Sequence, residues 1–158
     1  MELKNIFSVT QTEHVVIAAP LNTVWNFIED PNNLLLWNPK VRRVTALSDA
    51  GKEIGTIFGI LYVMNNKADE MLGTIALRVP MSRITFRYSG GKMPPDNFVE
   101  EGFVLAQRNN GVLVERTITF TVSAIPLWAR FVMWIIFKIG KPDGESYLTT
   151  LKSLIERS

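Results

Sequence analysis

The chain has 158 residues, 47% of them apolar and 10% aromatic, enough to build a buried core and to exclude a globally disordered chain. Seventeen basic residues against fifteen acidic ones leave a formal charge of +2, and the basic residues are spread out rather than clustered beside aromatics, so the footprint of a nucleic-acid binder is missing. With no cysteine and His14 as the sole histidine, disulfide scaffolds, thiolate nucleophiles and Cys/His metal sites are excluded, and neither a metal nor a cofactor is expected.

From Phe7 to Ala18 the residues alternate, with Phe7, Val9, Gln11, Glu13, Val15 and Ile17 on one face, which predicts a strand. Pro20 then opens a helical pattern in which Leu21, Val24, Trp25 and Ile28 share a face, stopped by Asp30-Pro31. A second short helix is expected from Asn32 to Trp37. Turn signals at Asp49-Ala-Gly, Asn65-Asn66, Pro80-Met81, Gly90 to Asn97 and Asn110-Gly111 cut the next region into strands near 41–48, 54–64, 67–79, 82–89, 98–109 and 112–124. Short turns between consecutive strands imply an antiparallel meander. After Pro126 the pattern is helical to the end, with a break expected at Gly140-Lys-Pro142. Beyond it Tyr147, Leu148, Leu151, Leu154 and Ile155 form one apolar stripe.

One domain over residues 1–158 is expected. The first residues, Met1 to Phe7, lack the basic start and apolar run of a secretory leader, so a cytoplasmic protein is the expectation. The apolar stretch from Ile125 to Ile139 is interrupted by Pro126, Arg130 and Lys138 and falls short of the ~20 residues that span a bilayer, so no transmembrane helix is expected.

The strings Val16-Ile-Ala-Ala-Pro20, Val24-Trp25, Phe27-Ile28, Asp30-Pro31 and Trp37-Asn-Pro-Lys-Val41 together resemble the opening of the START-like superfamily. This superfamily is also called SRPBCC or birch-pollen-allergen-like, and the likeness is to its polyketide cyclase/dehydrase-type members. The resemblance in layout runs the length of the chain. It implies an α+β helix-grip fold: a seven-stranded antiparallel sheet curled around a long C-terminal helix, two short helices between the first two strands, and an apolar cavity between sheet and helix. It implies no single activity, because the superfamily holds lipid carriers, aromatic-ring cyclases and chaperone regulators alike. Trp25 and Trp37 read as core packing rather than ligand contacts.

Within that frame the last strand sorts cleanly. Val112, Val114, Arg116, Ile118, Phe120 and Val122 share one face, so Arg116 stands on the apolar side. With Asn110-Gly111 as a two-residue turn, Leu105 lies opposite Arg116, Phe103 opposite Ile118 and Glu101 opposite Phe120. With residues 90–97 as one loop, Phe86 lies opposite Glu101. Glu101 is therefore expected in the cavity wall among Val99, Phe103, Phe86 and Phe120. A buried carboxyl without a partner is costly, which makes Glu101 a candidate for a ligand contact or for acid/base chemistry. Arg116, roughly 14 Å away along the ladder, is expected to anchor a polar end of the ligand or to reach for the rim. Tyr88, Ile118 and Leu151 complete the expected ligand-binding set. His14, on a half-polar face, is read as a surface residue without a role. Gly51, Gly55 and Gly59 are read as aids to strand curvature, and the loop at Gly90-Gly-Lys92 as an entrance flap rather than a phosphate-binding loop.

The segment Trp128 to Ile139 is apolar nearly all round, more than packing on a sheet requires. Burial under the curl of the sheet, a dimer contact, and a membrane-surface contact aided by Arg130, Lys138 and Lys141 are the open readings. The function expected is binding of a hydrophobic small molecule, lipid-like or aromatic, in the internal cavity. The alternatives are a polyketide cyclase/dehydrase-like enzyme with Glu101 as its acid/base, and a protein-binding adaptor.

Overall fold

Alternation in the sequence becomes strand, and apolar spacing of three and four becomes helix, at nearly every position expected. The computed structural model describes residues 6–48, 51–123, 126–139 and 146–158; the turn at Asp49-Ala50 and the break at Gly140-Lys-Pro142 lie outside them. In chain order the elements are β1 (Ile6–Ile17), α1 (Leu21–Ile28), a 3-10 turn (Pro31–Asn33), α2 (Leu34–Trp37), β2 (Val41–Ala46) and β3 (Ile57–Met64). There follow β4 (Lys67–Val79), β5 (Arg83–Ser89), β6 (Phe98–Arg108), β7 (Gly111–Ser123), α3 (Leu127–Ile139) and α4 (Tyr147–Arg157). The strands form one seven-stranded antiparallel sheet in the order β1-β7-β6-β5-β4-β3-β2. A meander thus runs from β2 to β7, and β1 pairs with β7.

Local chemistry sets the boundaries. The Asp30 carboxylate accepts the Asn32 N–H at 3.0 Å and Pro31 supplies a fixed φ, so the chain turns sharply after α1. Asn65 and Asn66, with φ of +51° and +60°, make the tight turn between β3 and β4. β3 starts three residues later than expected because Gly55, at φ +89°, still belongs to the preceding turn.

The end of the chain forms two helices, α3 and α4, on either side of the expected break, and the Ser146 hydroxyl accepts the Leu148 N–H at 3.3 Å and caps the start of the second. It is α4 that the sheet grips, through Leu148, Leu151 and Ile155, none more than 2% exposed. The described apolar side chains of α3 at Leu127, Trp128, Phe131, Val132 and Trp134 are exposed, so burial under the curl does not hold for them.

The β6–β7 register also differs. Arg108 pairs with Gly111, which makes Asn109-Asn110 the turn and sets Phe103 opposite Arg116 and Glu101 opposite Ile118. The cause is tertiary. Gly111 has φ +137°, and a Cβ there would lie 2.1 Å from the Ile17 carbonyl oxygen, so this glycine serves the close approach of β1 instead of the turn centre. The slip is by two residues, so every side chain keeps its face.

The core lies between the inner face of the sheet and the helices. Trp25 and Trp37 are both 2% exposed, and Trp37 meets Phe103 edge-on with ring centroids 5.8 Å apart.

Candidate ligand-binding site

Along the inner face of β7, burial changes at Arg116. Val112 and Val114 are fully buried beneath the helices, whereas Ile118, Phe120 and Val122 are only partly buried. The neighbours across the ladder follow the same trend: Val99 on β6 and Val9 and Phe7 on β1 are partly buried as well. An apolar, incompletely covered region therefore begins where the packed core ends.

The boundary is a row of polar groups. Glu101 faces inward as expected and is 4% exposed, while its neighbour Glu100 pairs with Arg87 on the outer face at 2.6 Å. The expected separation of Arg116 from Glu101 along the ladder does not hold. Arg116 Nε donates to Glu101 Oε1 at 2.6 Å, because the true register puts the two residues on a diagonal of adjacent strands, within reach of both long side chains. The second carboxylate oxygen, Oε2, accepts from the Tyr88 hydroxyl at 3.1 Å. Arg116 is not at the rim either. It is 6% exposed, and its Nη1 donates to Glu13 Oε1 at 2.6 Å across the β1–β7 ladder, where Glu13 and Arg116 are direct partners. The other oxygen of Glu13 accepts from the Ser146 hydroxyl, which ties the start of α4 to the row. The guanidinium carbon lies 5.0 Å from the Tyr147 ring centroid and 6.0 Å from that of Trp37, adding cation–π attraction.

Burial alone would lower the Arg116 pKa, but the charge and hydrogen bonds of Glu101 and then Glu13 outweigh it, and the net shift is upward. Arg116 is a fixed cation. Burial also raises the pKa of Tyr88, reinforced by the Glu101 charge and hydrogen bond. Tyr62 on β3 is raised too, by burial first and then by its hydrogen-bonded neighbour Tyr147. Both phenols stay neutral donors at physiological pH.

Of the residues expected to bind ligand, Ile118 and Phe120 lie on the open side of the row, and Glu101, Arg116 and Tyr88 form it. Phe86, Phe103 and Leu151 are 1%, 0% and 0% exposed and pack in the core behind it. Glu13, Tyr62, Tyr147 and Ser146 join the site without having been expected there. The signal for Glu13 was an acid on the inward face of β1, in line with Val15 and Ile17. His14 is exposed, consistent with a surface residue. The Gly90–Asn97 loop is pinned at one end by Lys92 N–H bonds of 3.1 Å to both oxygens of Asp69 and at the other by Asn97 Oδ1, which accepts from Ser123 N at 3.0 Å. Among the described residues no group of three or more His, Cys, Asp or Glu side chains is placed to hold a metal ion.

A seven-stranded antiparallel sheet gripping a C-terminal helix, with short helices between the first two strands, is the helix-grip fold of the START-like type. Residues 7–156 match the family described as polyketide cyclase / dehydrase and lipid transport, and the chain belongs to that family. Among solved structures it is similar to Ara h 8.0201 (TM-score 0.67, 14% identity, 96% of this chain and 100% of that one). It is similar as well to TTHA0849 from Thermus thermophilus (TM-score 0.65, 20% identity, 94% and 96%) and to a START superfamily protein from Mycobacterium smegmatis (TM-score 0.63, 13% identity, 95% and 97%). At these identities the likeness is one of fold. No curated protein matches the sequence significantly.

Proposed function

We propose that the protein binds a lipid-like or aromatic small molecule on the inner face of the sheet, with its apolar body against Ile118, Phe120 and Val99 and its polar end toward Tyr62 and Tyr147. The observation that carries this reading is the change in burial along β7: apolar side chains past Arg116 face inward yet are incompletely covered. A hydrophobic site of this kind takes its affinity from the walls and its orientation from a few fixed donors. Arg116, held by two carboxylates, serves to position Glu101, Glu13 and the Tyr147 ring; the ligand's polar end meets the tyrosine hydroxyls. A hydroxyl or carbonyl group suits such donors.

The enzyme reading is less well supported. A general acid/base needs a face open to the substrate, and both oxygens of Glu101 are already occupied, by Arg116 and Tyr88. The test is titration of the folded protein with a fluorescent anthroyloxy fatty acid. Saturable binding is expected, weakened about tenfold by Ile118→Trp, which fills the space beside Phe120. Absence of saturable binding to a protein that unfolds cooperatively would favour the adaptor reading. Native mass spectrometry of protein purified from its source, followed by extraction of what co-purifies, identifies the natural occupant.

A further inference from the structure

Among the described charged side chains at the polar end of the inner face, one has no counter-charge. Glu13 and Glu101 are each bonded to Arg116 at 2.6 Å, so that cation and both acids are occupied. Lys40, the residue before β2, is not. Its Nζ lies 5.9 Å from the Tyr147 ring centroid, and among the described residues no carboxylate pairs with it. The residue is half-buried, and the face of a phenol ring is a weaker counterpart for its ammonium than a carboxylate.

The backbone fixes where that charge stands. The Lys40 N–H donates to Asn38 Oδ1 at 3.0 Å and its carbonyl accepts from the Val63 N–H at 2.7 Å, which locks the residue between the Trp37-Asn-Pro turn and β3. Val41, next in the chain, pairs with Tyr62 and is 4% exposed. Lys40 therefore stands beside Tyr62 and its hydrogen-bonded neighbour Tyr147. In a bond between two phenols one hydroxyl donates to the other, which leaves the second with a proton to give. An ammonium and one phenolic O–H then offer donors to the two oxygens of a carboxylate. Charge limits the anion to a single unit. The row of Glu13, Arg116 and Glu101 holds two acids against one base, so a second negative charge, as on a phosphate monoester, would be opposed by that excess, whereas a monoanion is matched by Lys40 alone.

We infer that Lys40 and the Tyr62–Tyr147 pair receive the carboxylate of an amphiphilic monocarboxylic acid, whose apolar chain lies against Ile118 and Phe120. This assignment rests on the ligand reading above and narrows it to acids. The test is titration of the full chain with anthroyloxy stearic acid and with the primary amide of the same compound, followed by displacement of the bound acid with stearic acid or octadecyl phosphate. At neutral pH the acid should bind at least about tenfold more tightly than the amide, and stearic acid should displace it better than the phosphate does. Lys40→Met should bring acid and amide to within about twofold of each other, and Lys40→Arg should restore most of the difference. If Lys40→Met fails to fold, the comparison of acid with amide in the wild type decides. Equal binding of the two by the wild type would overturn the inference, since the charge of Lys40 would then be spent within the protein or on solvent. A preference for the acid that survives in Lys40→Met, or better displacement by the phosphate, would overturn it as well. In each of these cases saturable binding of the amide leaves the hydrophobic site standing, whereas no saturable binding of either compound removes the site and the inference together.

Discussion

Arg116 on β7 and Glu101 on β6 meet across a diagonal of the sheet, Nε to Oε1 at 2.6 Å, with side chains only 6% and 5% exposed. Such a pair is costly to break from one side, because the survivor is left as a buried charge. Arg116→Met should lose about 3–5 kcal/mol in urea denaturation. Glu101→Gln should lose less, about 1–3 kcal/mol, since Glu13 still pairs with Arg116. The double variant should be more stable than Arg116→Met alone. A double variant as unstable as the sum of the single ones would mean that the two side chains do not act as a pair.

The tyrosines give a pH signature. The folded pKa values of Tyr62 and Tyr88 both lie above the ordinary phenol value, through burial first. Their contribution to stability is therefore fully present below the unfolded pKa of about 10 and is lost as pH rises beyond it toward the folded values. Stability measured by urea denaturation should fall steeply on the alkaline side, and tyrosinate absorbance should show late-titrating phenols. Tyr62→Phe should flatten the alkaline limb. Tyr88→Phe should do the same and also cost about 1–3 kcal/mol at neutral pH, where it removes the hydrogen bond to Glu101. An unchanged alkaline limb in both variants would show the phenols to be solvated.

How far the sequence alone reaches is clear from these same residues. The inward faces of β6 and β7, and so the placement of Glu101 and Arg116, follow from simple alternation. The ladder register does not, because Asn109-Asn110-Gly111 offers two overlapping two-residue turns and local chemistry does not choose between them. A contact with Ile17, far away in sequence, makes the choice. That one undetermined slip turned a bonded pair into two distant residues. Glu13 was visible as an acid on an apolar face, but its role depends on β1 pairing with β7, which joins opposite ends of the chain. Tyr62 on β3 and Tyr147 at the start of α4 are hydrogen-bonded neighbours, and no periodicity encodes that meeting.

Two glycines lie where a Cβ would clash, Gly111 with backbone and Gly73 with a side chain, and they should respond differently. Gly111→Ala places a Cβ 2.1 Å from the Ile17 carbonyl oxygen at φ +137°, and the neighbour is backbone that cannot turn aside. A loss of about 3 kcal/mol is expected. Gly73→Ala would meet two atoms of the Phe58 ring at 2.3 Å, a side chain that can be shortened. Its loss should be partly rescued by Phe58→Leu, whereas no side-chain change at Ile17 should rescue Gly111→Ala. Thermal melts of the single and double variants distinguish the two cases, and rescue of Gly111→Ala by Ile17→Ala would contradict the backbone clash.

The gripped helix offers the most direct test of the fold. Leu151 is 0% exposed and lies between Leu148 and Ile155 on the single stripe that α4 presents to β1 and to α1 and α2. Leu151→Ala should cost about 2–5 kcal/mol through lost burial and the cavity left behind. Leu151→Asp buries a charge with no cation on the same stripe, and should abolish the cooperative melt along with the near-ultraviolet signal of the packed aromatics. Arg157→Ala, at the exposed end of the same helix, serves as the control and should melt like the wild type. If Leu151→Asp kept a cooperative transition near the wild-type temperature, α4 could not be the element around which the sheet closes. In that case the polar row tied to it through Ser146 and Glu13 would lose its support as well.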